Sequence, residues 1–282
     1  MKVCTFTADG QLQLGIVKED AVISISAADP GLATDMVDLI ARWAELESVV
    51  QQIDGPSFAL SSVRLLPPIL RPGKILALGL NYADHVAESG MALPDRQTWF
   101  CKQATSVNGP FEPIVLPKVS SALDYEIELV VVIGKGGRHI TPEKARECIF
   151  GYCVGNDVSV RDYQLATSQW MLGKSFDTHA PFGPWITTSD EVPDPHALEI
   201  RCSVNGEERQ RSNTKNFIFR VWDQVAHLSQ VMTLEPGDLL FTGTPGGVGW
   251  AMTPPRLLKA GDTVKCMIEK LGSIENSVIQ EK

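Results

Sequence analysis

Short runs of β-branched and apolar residues, closed by Gly, Pro, Asn or Asp, recur along this chain, and one early stretch has a helical period instead. Val3–Thr7, Gln11–Val17 and Ala21–Ser26 read as three strands, with Asp9-Gly10 as the tight turn between the first two. Met36, Leu39, Ile40, Trp43, Leu46, Val50 and Ile53 then fall on one helical stripe. Thr34 is placed to cap that helix, Asp35 suits its positive end, and Asp54-Gly55-Pro56 stops it. The proline-rich LLPPILRPG, Leu65–Gly73, reads as a junction. The expected organisation is a small α+β domain over residues 1–70 and a larger domain over 71–282.

The larger part predicts strands at Lys74–Leu78, Ile114–Leu116, Asp124–Ile133, Phe150–Asn156, Trp185–Thr188, Leu198–Val204, Glu207–Ser212, Leu239–Thr242 and Thr263–Ile268. Asn205-Gly206 is a type I′ hairpin turn. Asn81–Gly90 reads as either a short helix or a mobile segment ended by Gly90 and Pro94. Thr141-Pro142 opens a helix, and Val221, Val225, Leu228 and Met232 mark another. Strands dominate and come mostly as hairpins, so the fold class is α+β with a largely antiparallel, β-rich core.

The stretch DYEIELVVVIG, Asp124–Gly134, carries the most chemistry. Side chains of a strand alternate between faces, so Glu126, Glu128, Val130 and Val132 share one side. The two Glu Cα atoms are then roughly 6.6–6.8 Å apart, a spacing from which two carboxylates converge on one cation. Taken alone, the segment fits better a strand end whose Glu side chains face water, since ionised Glu is rarely buried unless paired. Asp157, where the apolar GYCVGN turns polar, is the best third oxygen ligand, with Asp162 as a rival. An all-carboxylate set suits Mg²⁺, Mn²⁺ or Ca²⁺ rather than Zn²⁺.

Apolar content of 44% and charged content of 21% over 282 residues are those of a globular chain. A net charge of −9 argues against non-specific nucleic-acid binding. The six Cys are scattered without a CxxC and read as reduced thiols of a cytoplasmic protein. No apolar run has the length to span a bilayer.

His85 and Glu88, at i and i+3, are neighbours on a helix turn, and a carboxylate beside an imidazole makes a general base. The same spacing suits a surface pair. Gly173-Lys174-Ser175 and Arg161 offer cations for an anionic substrate or for the surface. Gly243–Gly249 lacks the Lys-Ser/Thr of a P-loop. It reads as backbone that admits a substrate closely, with Gly243 at its start and Thr244 offering a hydroxyl. His179 is undecided, and His139, His196 and His227 show no metal or triad spacing.

Together these segments resemble the fumarylacetoacetate hydrolase family. The resemblance rests on GLNYADHVAE (Gly79–Glu88), DYEIELVVVIGK (Asp124–Lys135), GNDVSVRD (Gly155–Asp162), LGKSFDT (Leu172–Thr178), DPH (Asp194–His196), VNGE (Val204–Glu207) and PGDLLFTGTPGGVG (Pro236–Gly249). It implies a β-rich fold, a homodimer and a divalent ion, usually Mg²⁺, held by Glu126, Glu128 and Asp157. It also implies a His85–Glu88 dyad on a lid segment, an active-site Lys174, and a Thr244 that contacts the substrate carboxylate. Many relatives carry Arg where Leu80 stands, so an anionic contact is absent here.

The implied activity is metal-dependent hydrolysis of a C–C bond in a 2,4-dioxo acid, with His85 activating water and pyruvate or a related 2-oxo acid released. Oxaloacetate decarboxylation and isomerisation or tautomerisation of unsaturated oxo acids are the alternatives on the same residues. A metal-stabilised binding protein without turnover is the reading from another class, and it leaves the base unexplained.

Overall fold

The computed structural model describes residues 1–88 and 92–282, and the side chains of Asp84, His85 and Ala87 are outside the described set. Gly90, expected to end its segment, therefore lies outside the described residues. The fold is α+β and β-rich.

A twelve-stranded mixed sheet forms the frame. Its main path runs Ser57–Ala59, Ala21–Ser24, Gln11–Lys18, Lys2–Ala8, Ala180–Thr188, Ile149–Asn156, Ile127–Ile133, Leu239–Phe241, Ile75–Gly79 and Thr98–Lys102. Neighbours on this path are antiparallel except for Leu239–Phe241 beside Ile75–Gly79. A second sheet of five strands contains the Glu199–Val204 and Glu207–Asn213 hairpin with Thr263–Ile268, Gly272–Gln280 and Ile114–Leu116. The N-terminal strands continue the large sheet directly, through pairing of Lys2 and Val3 with Thr187 and Ile186.

Ile127–Ile133 is buried along its whole length. Ile127, Leu129, Val131 and Ile133 join the core shared with the five-stranded sheet, among Ile200, Cys202, Val264 and Ile274. Val130 and Val132 face the other way, into a core with Met36, Leu39, Ile40, Leu46 and Val50 of the N-terminal helices. Cover on both faces is why this strand is continuously apolar rather than alternating.

The early helical stripe is two helices, Met36–Ala41 and Trp43–Gln52, not one. Arg42 leaves helical geometry between them (φ −103°, ψ 13°) and sends its guanidinium back to the Leu32 carbonyl at 2.8 Å. Asp35, not Thr34, is the cap, its carboxylate accepting from the Asp38 N–H. The predicted Asp124–Ile133 strand is interrupted as well. Leu123–Asp124 pairs with Ser159–Val160, and the long strand begins at Ile127.

Candidate active site

Strand register builds the acidic cluster. Ile127 pairs with Asn156, so one step beyond the ladder Asp157 comes opposite Glu126. The Asp157 N–H donates to the Glu126 carbonyl at 2.8 Å, and the Glu126 N–H donates to Asn156 Oδ1. Glu128 follows two residues along the same face. Carboxylate oxygens of Glu126, Glu128 and Asp157 lie within 4.8 Å of one another, and all three residues are buried. Asp162, the rival ligand, is exposed and accepts from the Ser120 hydroxyl.

Among the described residues, three cations are packed against this cluster. Lys174 ends the short helix Met171–Lys174 and places Nζ 2.7 Å from Glu126 Oε2 and 2.6 Å from Asp157 Oδ2. Gly173 lets that helix touch its neighbour, since a Cβ there would fall 2.3 Å from the Gln164 nitrogen. Arg161 contacts Glu126 Oε1 at 2.6 Å, and its Nε donates to Asp124 Oδ2 at 2.9 Å. Lys102, at the end of an edge strand, reaches Asp157 Oδ1 at 2.6 Å.

The electrostatics follow from burial. Desolvation, then the charges of Asp157 and Glu126, push the Glu128 carboxyl well above the usual carboxylate range. Burial opposes the charged form of Lys174, but Asp157 and Glu126 outweigh it and raise its pKa. For Lys102 burial prevails over Asp157, helped by repulsion from Lys174, and the pKa falls.

The Gly-rich loop closes the site from the side. The Gly243 N–H donates to Glu128 Oε2 at 2.7 Å. Gly243 has φ +101°, and a Cβ would sit 2.6 Å from that of Asn81, so only glycine fits. Asp124 accepts from the N–H groups of Gly249 and Trp250 and anchors the far end of the loop. Glu88, on the helix Ala83–Glu88, accepts from the Gly247 N–H at 2.7 Å and ties that helix to the loop.

A cavity of about 280 Å³ opens over this cluster. Glu126, Glu128, Arg161, Lys174 and Thr244 form its polar part, and Leu80, Phe100, Leu165, Trp170, Val248 and Trp250 its apolar walls. The structure thus gathers Glu88, Glu126, Glu128, Asp157, Arg161, Lys174, Gly243 and Thr244 in one place. His85 lies on the helix that carries Glu88, and its side chain is outside the described residues. Arg161 borders the cavity with its guanidinium engaged by Asp124, Glu126 and Gln164. His179 is fully buried and its Nε2 donates to the Val115 carbonyl at 2.8 Å, a structural role. His196 is likewise structural, its Nε2 accepting the first N–H of the helix Val221–Val231.

Sequence reading missed Lys102, Asp124 and Gln210. Gln210 is fully buried between the strand that bears the Glu pair and the Gly-rich loop. Its Oε1 accepts from the Ile127 N–H at 3.0 Å, and its Nε2 donates to Thr244 Oγ1 and the Pro245 carbonyl, both at 2.8 Å.

The donor set fits a hard divalent cation. It is all oxygen, buried and convergent, and Glu128 is pushed toward neutrality by burial and then by its neighbours' charge. Among the described residues, the carboxylates of Asp124, Glu126 and Asp157 are countered by Lys102, Arg161 and Lys174.

Residues 74–279 match the family model described as fumarylacetoacetate (FAA) hydrolase C-terminal. The chain belongs to the fumarylacetoacetate hydrolase family. A Dictyostelium discoideum fumarylacetoacetate hydrolase domain-containing protein 2 homolog is 42% identical, over 94% of this chain and 92% of its own. The rat protein named oxaloacetate tautomerase Fahd2a, mitochondrial, is 44% identical over 92% of this chain and 84% of its own. Among solved structures, maleylpyruvate hydrolase from Sphingobium sp. SYK-6, in complex with manganese(II) and pyruvate, superposes with a TM-score of 0.84. It is 32% identical and covers 100% of both chains. Membership of this family makes the protein an enzyme, and its relatives include both tautomerases and hydrolases. Among the described residues, no helix is long and apolar enough to cross a membrane.

Proposed function

We propose that this protein is a divalent-metal-dependent enzyme of short 2-oxo acids that interconverts the keto and enol forms of oxaloacetate. The observation that carries the reading is the buried Glu126–Glu128–Asp157 cluster, countered by Lys174 and Arg161 at the floor of a small cavity. The curated relatives named oxaloacetate tautomerases match over about nine tenths of the chain, and they support this reaction over the C–C hydrolysis that the motifs alone favour.

Glu126, Glu128 and Asp157 would hold Mg²⁺ or Mn²⁺, with Ca²⁺ as a further candidate. Such an ion would draw electrons from the 2-oxo group and make the C3 protons more acidic. His85, on the helix that also carries Glu88, would take a proton from C3; the C–H pair becomes the C2–C3 double bond and the C2 oxygen takes up a proton. Lys174 commits two N–H bonds to Glu126 and Asp157 and has a third for the substrate oxygen. Arg161 holds the Glu126 carboxylate in place. Thr244 meets the substrate carboxylate, and the Glu88–Gly247 contact holds the lid segment against the loop.

Hydrolysis of a 2,4-dioxo acid is the second reading, favoured by the likeness to maleylpyruvate hydrolase. There His85 would take its proton from water instead of carbon. Decay of the oxaloacetate enol, followed in the ultraviolet, and pyruvate release from acylpyruvates test both. With Mn²⁺, enol decay should accelerate and EDTA should abolish the effect. If neither reaction responds to the metal-loaded protein, both readings fail.

A further inference from the structure

Gln210 sits in a polar hairpin strand of the five-stranded sheet, yet its amide has no freedom of orientation. The Ile127 N–H can only donate, so it must face Oε1, at 3.0 Å. The Pro245 carbonyl can only accept, so it must face Nε2, at 2.8 Å. These two backbone groups lie on opposite sides of the amide and exclude the flipped arrangement. The remaining N–H of Nε2 therefore points at Thr244 Oγ1, also at 2.8 Å.

That bond settles what the hydroxyl can do. Its oxygen is already an acceptor, so its own hydrogen must go elsewhere, and among the described residues it is donated to no acceptor. Thr244 is 4% exposed and borders the cavity beside Glu126, Glu128 and Lys174. Gln210 is 0% exposed, so water does not compete for its amide. The same strand braces the loop: a Cβ on Gly247 would fall 2.0 Å from the Arg209 carbonyl oxygen.

We propose that Gln210 is a positioning residue that fixes Thr244 as a hydrogen-bond donor toward the carboxylate of the bound 2-oxo acid. The inference rests on the reading of the cavity as a metal-dependent oxo-acid site. It assigns Gln210 an effect on anion binding exerted through Thr244, and none on the metal.

The test is a double-mutant cycle on oxalate, a planar dianion with the oxygen pair of an oxo acid, bound to the Mn²⁺-loaded protein and measured by calorimetry. Gln210→Met and Thr244→Val should each weaken oxalate about tenfold, the weight of one hydrogen bond to a charged group. The double variant should be no weaker than Thr244→Val alone. Gln210→Glu keeps the acceptor for Ile127 but offers Thr244 a competing acceptor, and should show the same loss. Mn²⁺ affinity, measured without oxalate, should be that of the unmodified protein in all variants.

Additive losses in the cycle, or undiminished oxalate affinity in Gln210→Met or Gln210→Glu, overturn the proposal. A parallel loss of Mn²⁺ affinity overturns it too, since Gln210 would then act through the Glu-bearing strand. If the unmodified Mn²⁺ protein binds neither oxalate nor a 2-oxo acid, the functional reading fails as well, a separate result from failure of the cycle.

Discussion

Lys102 Nζ lies 2.6 Å from Asp157 Oδ1, and both side chains are completely buried. An edge-strand lysine thus supplies the counter-charge for a proposed metal ligand 55 residues further along the chain. Replacing Lys102 with Met keeps the volume and leaves the carboxylate less compensated. Loss of one partner of a buried pair costs about 3–5 kcal/mol, so urea unfolding of the metal-free variant should shift by that order. Mn²⁺ should bind the variant more tightly and restore part of the loss. Unfolding unchanged from the parent protein would mean that Asp157 does not depend on Lys102.

Glu128→Gln separates charge from shape. The amide oxygen can still accept from the Gly243 N–H, so the loop should hold. Burial and the adjacent Asp157 and Glu126 already disfavour the charged form of Glu128. The metal-free variant should therefore melt no lower than the parent. Loss of a charged ligand and of the Lewis acid it holds should cut turnover by at least about 1,000-fold. Normal Mn²⁺ affinity in this variant, read by paramagnetic resonance, would remove Glu128 from the ligand set.

His85→Ala tests the base. Metal affinity should be unchanged while kcat falls about 10²- to 10⁴-fold, the range for a positioned general base. An enzyme that keeps near-normal turnover would assign proton transfer to another group.

Acid sensitivity has an identifiable source in His179. Burial pushes its pKa down to about 3 from an ordinary 6.5, so between those values the unfolded chain binds the proton and the folded one does not. Its contribution is full above pH 6.5 and declines as pH falls toward 3. At about 1.4 kcal/mol per pH unit, roughly 2 kcal/mol goes between neutrality and pH 5. In His179→Gln the difference in unfolding free energy between pH 7 and pH 5 should shrink by that amount. Equal differences in the two proteins would show that His179 is not the group responsible.

How much of this was legible in the chain depended on whether the signal was local. The carboxylate pair was legible as a pair, because alternation puts Glu126 and Glu128 on one face, but its burial was not, since the same segment fits a strand end whose Glu side chains face water. Asp157 was legible as a candidate, but its place opposite Glu126 comes from a register that no single segment carries. Lys102 ends TWFCK and looks like any strand-end lysine; its partner is set by tertiary packing. Gln210 sits in EERQRSN, where its burial has no local mark. The break at Arg42 was hidden because the apolar stripe runs on across it.

The Glu126–Asp157 backbone bond gives the sheet a further property. Two proposed ligands face each other one step beyond the end of one ladder, so a cation between them would act as a cross-strand staple, and sheet cohesion and ion affinity would become a single thermodynamic quantity. Slow deuterium exchange at the Asp157 amide would then serve as a gauge of how full the site is.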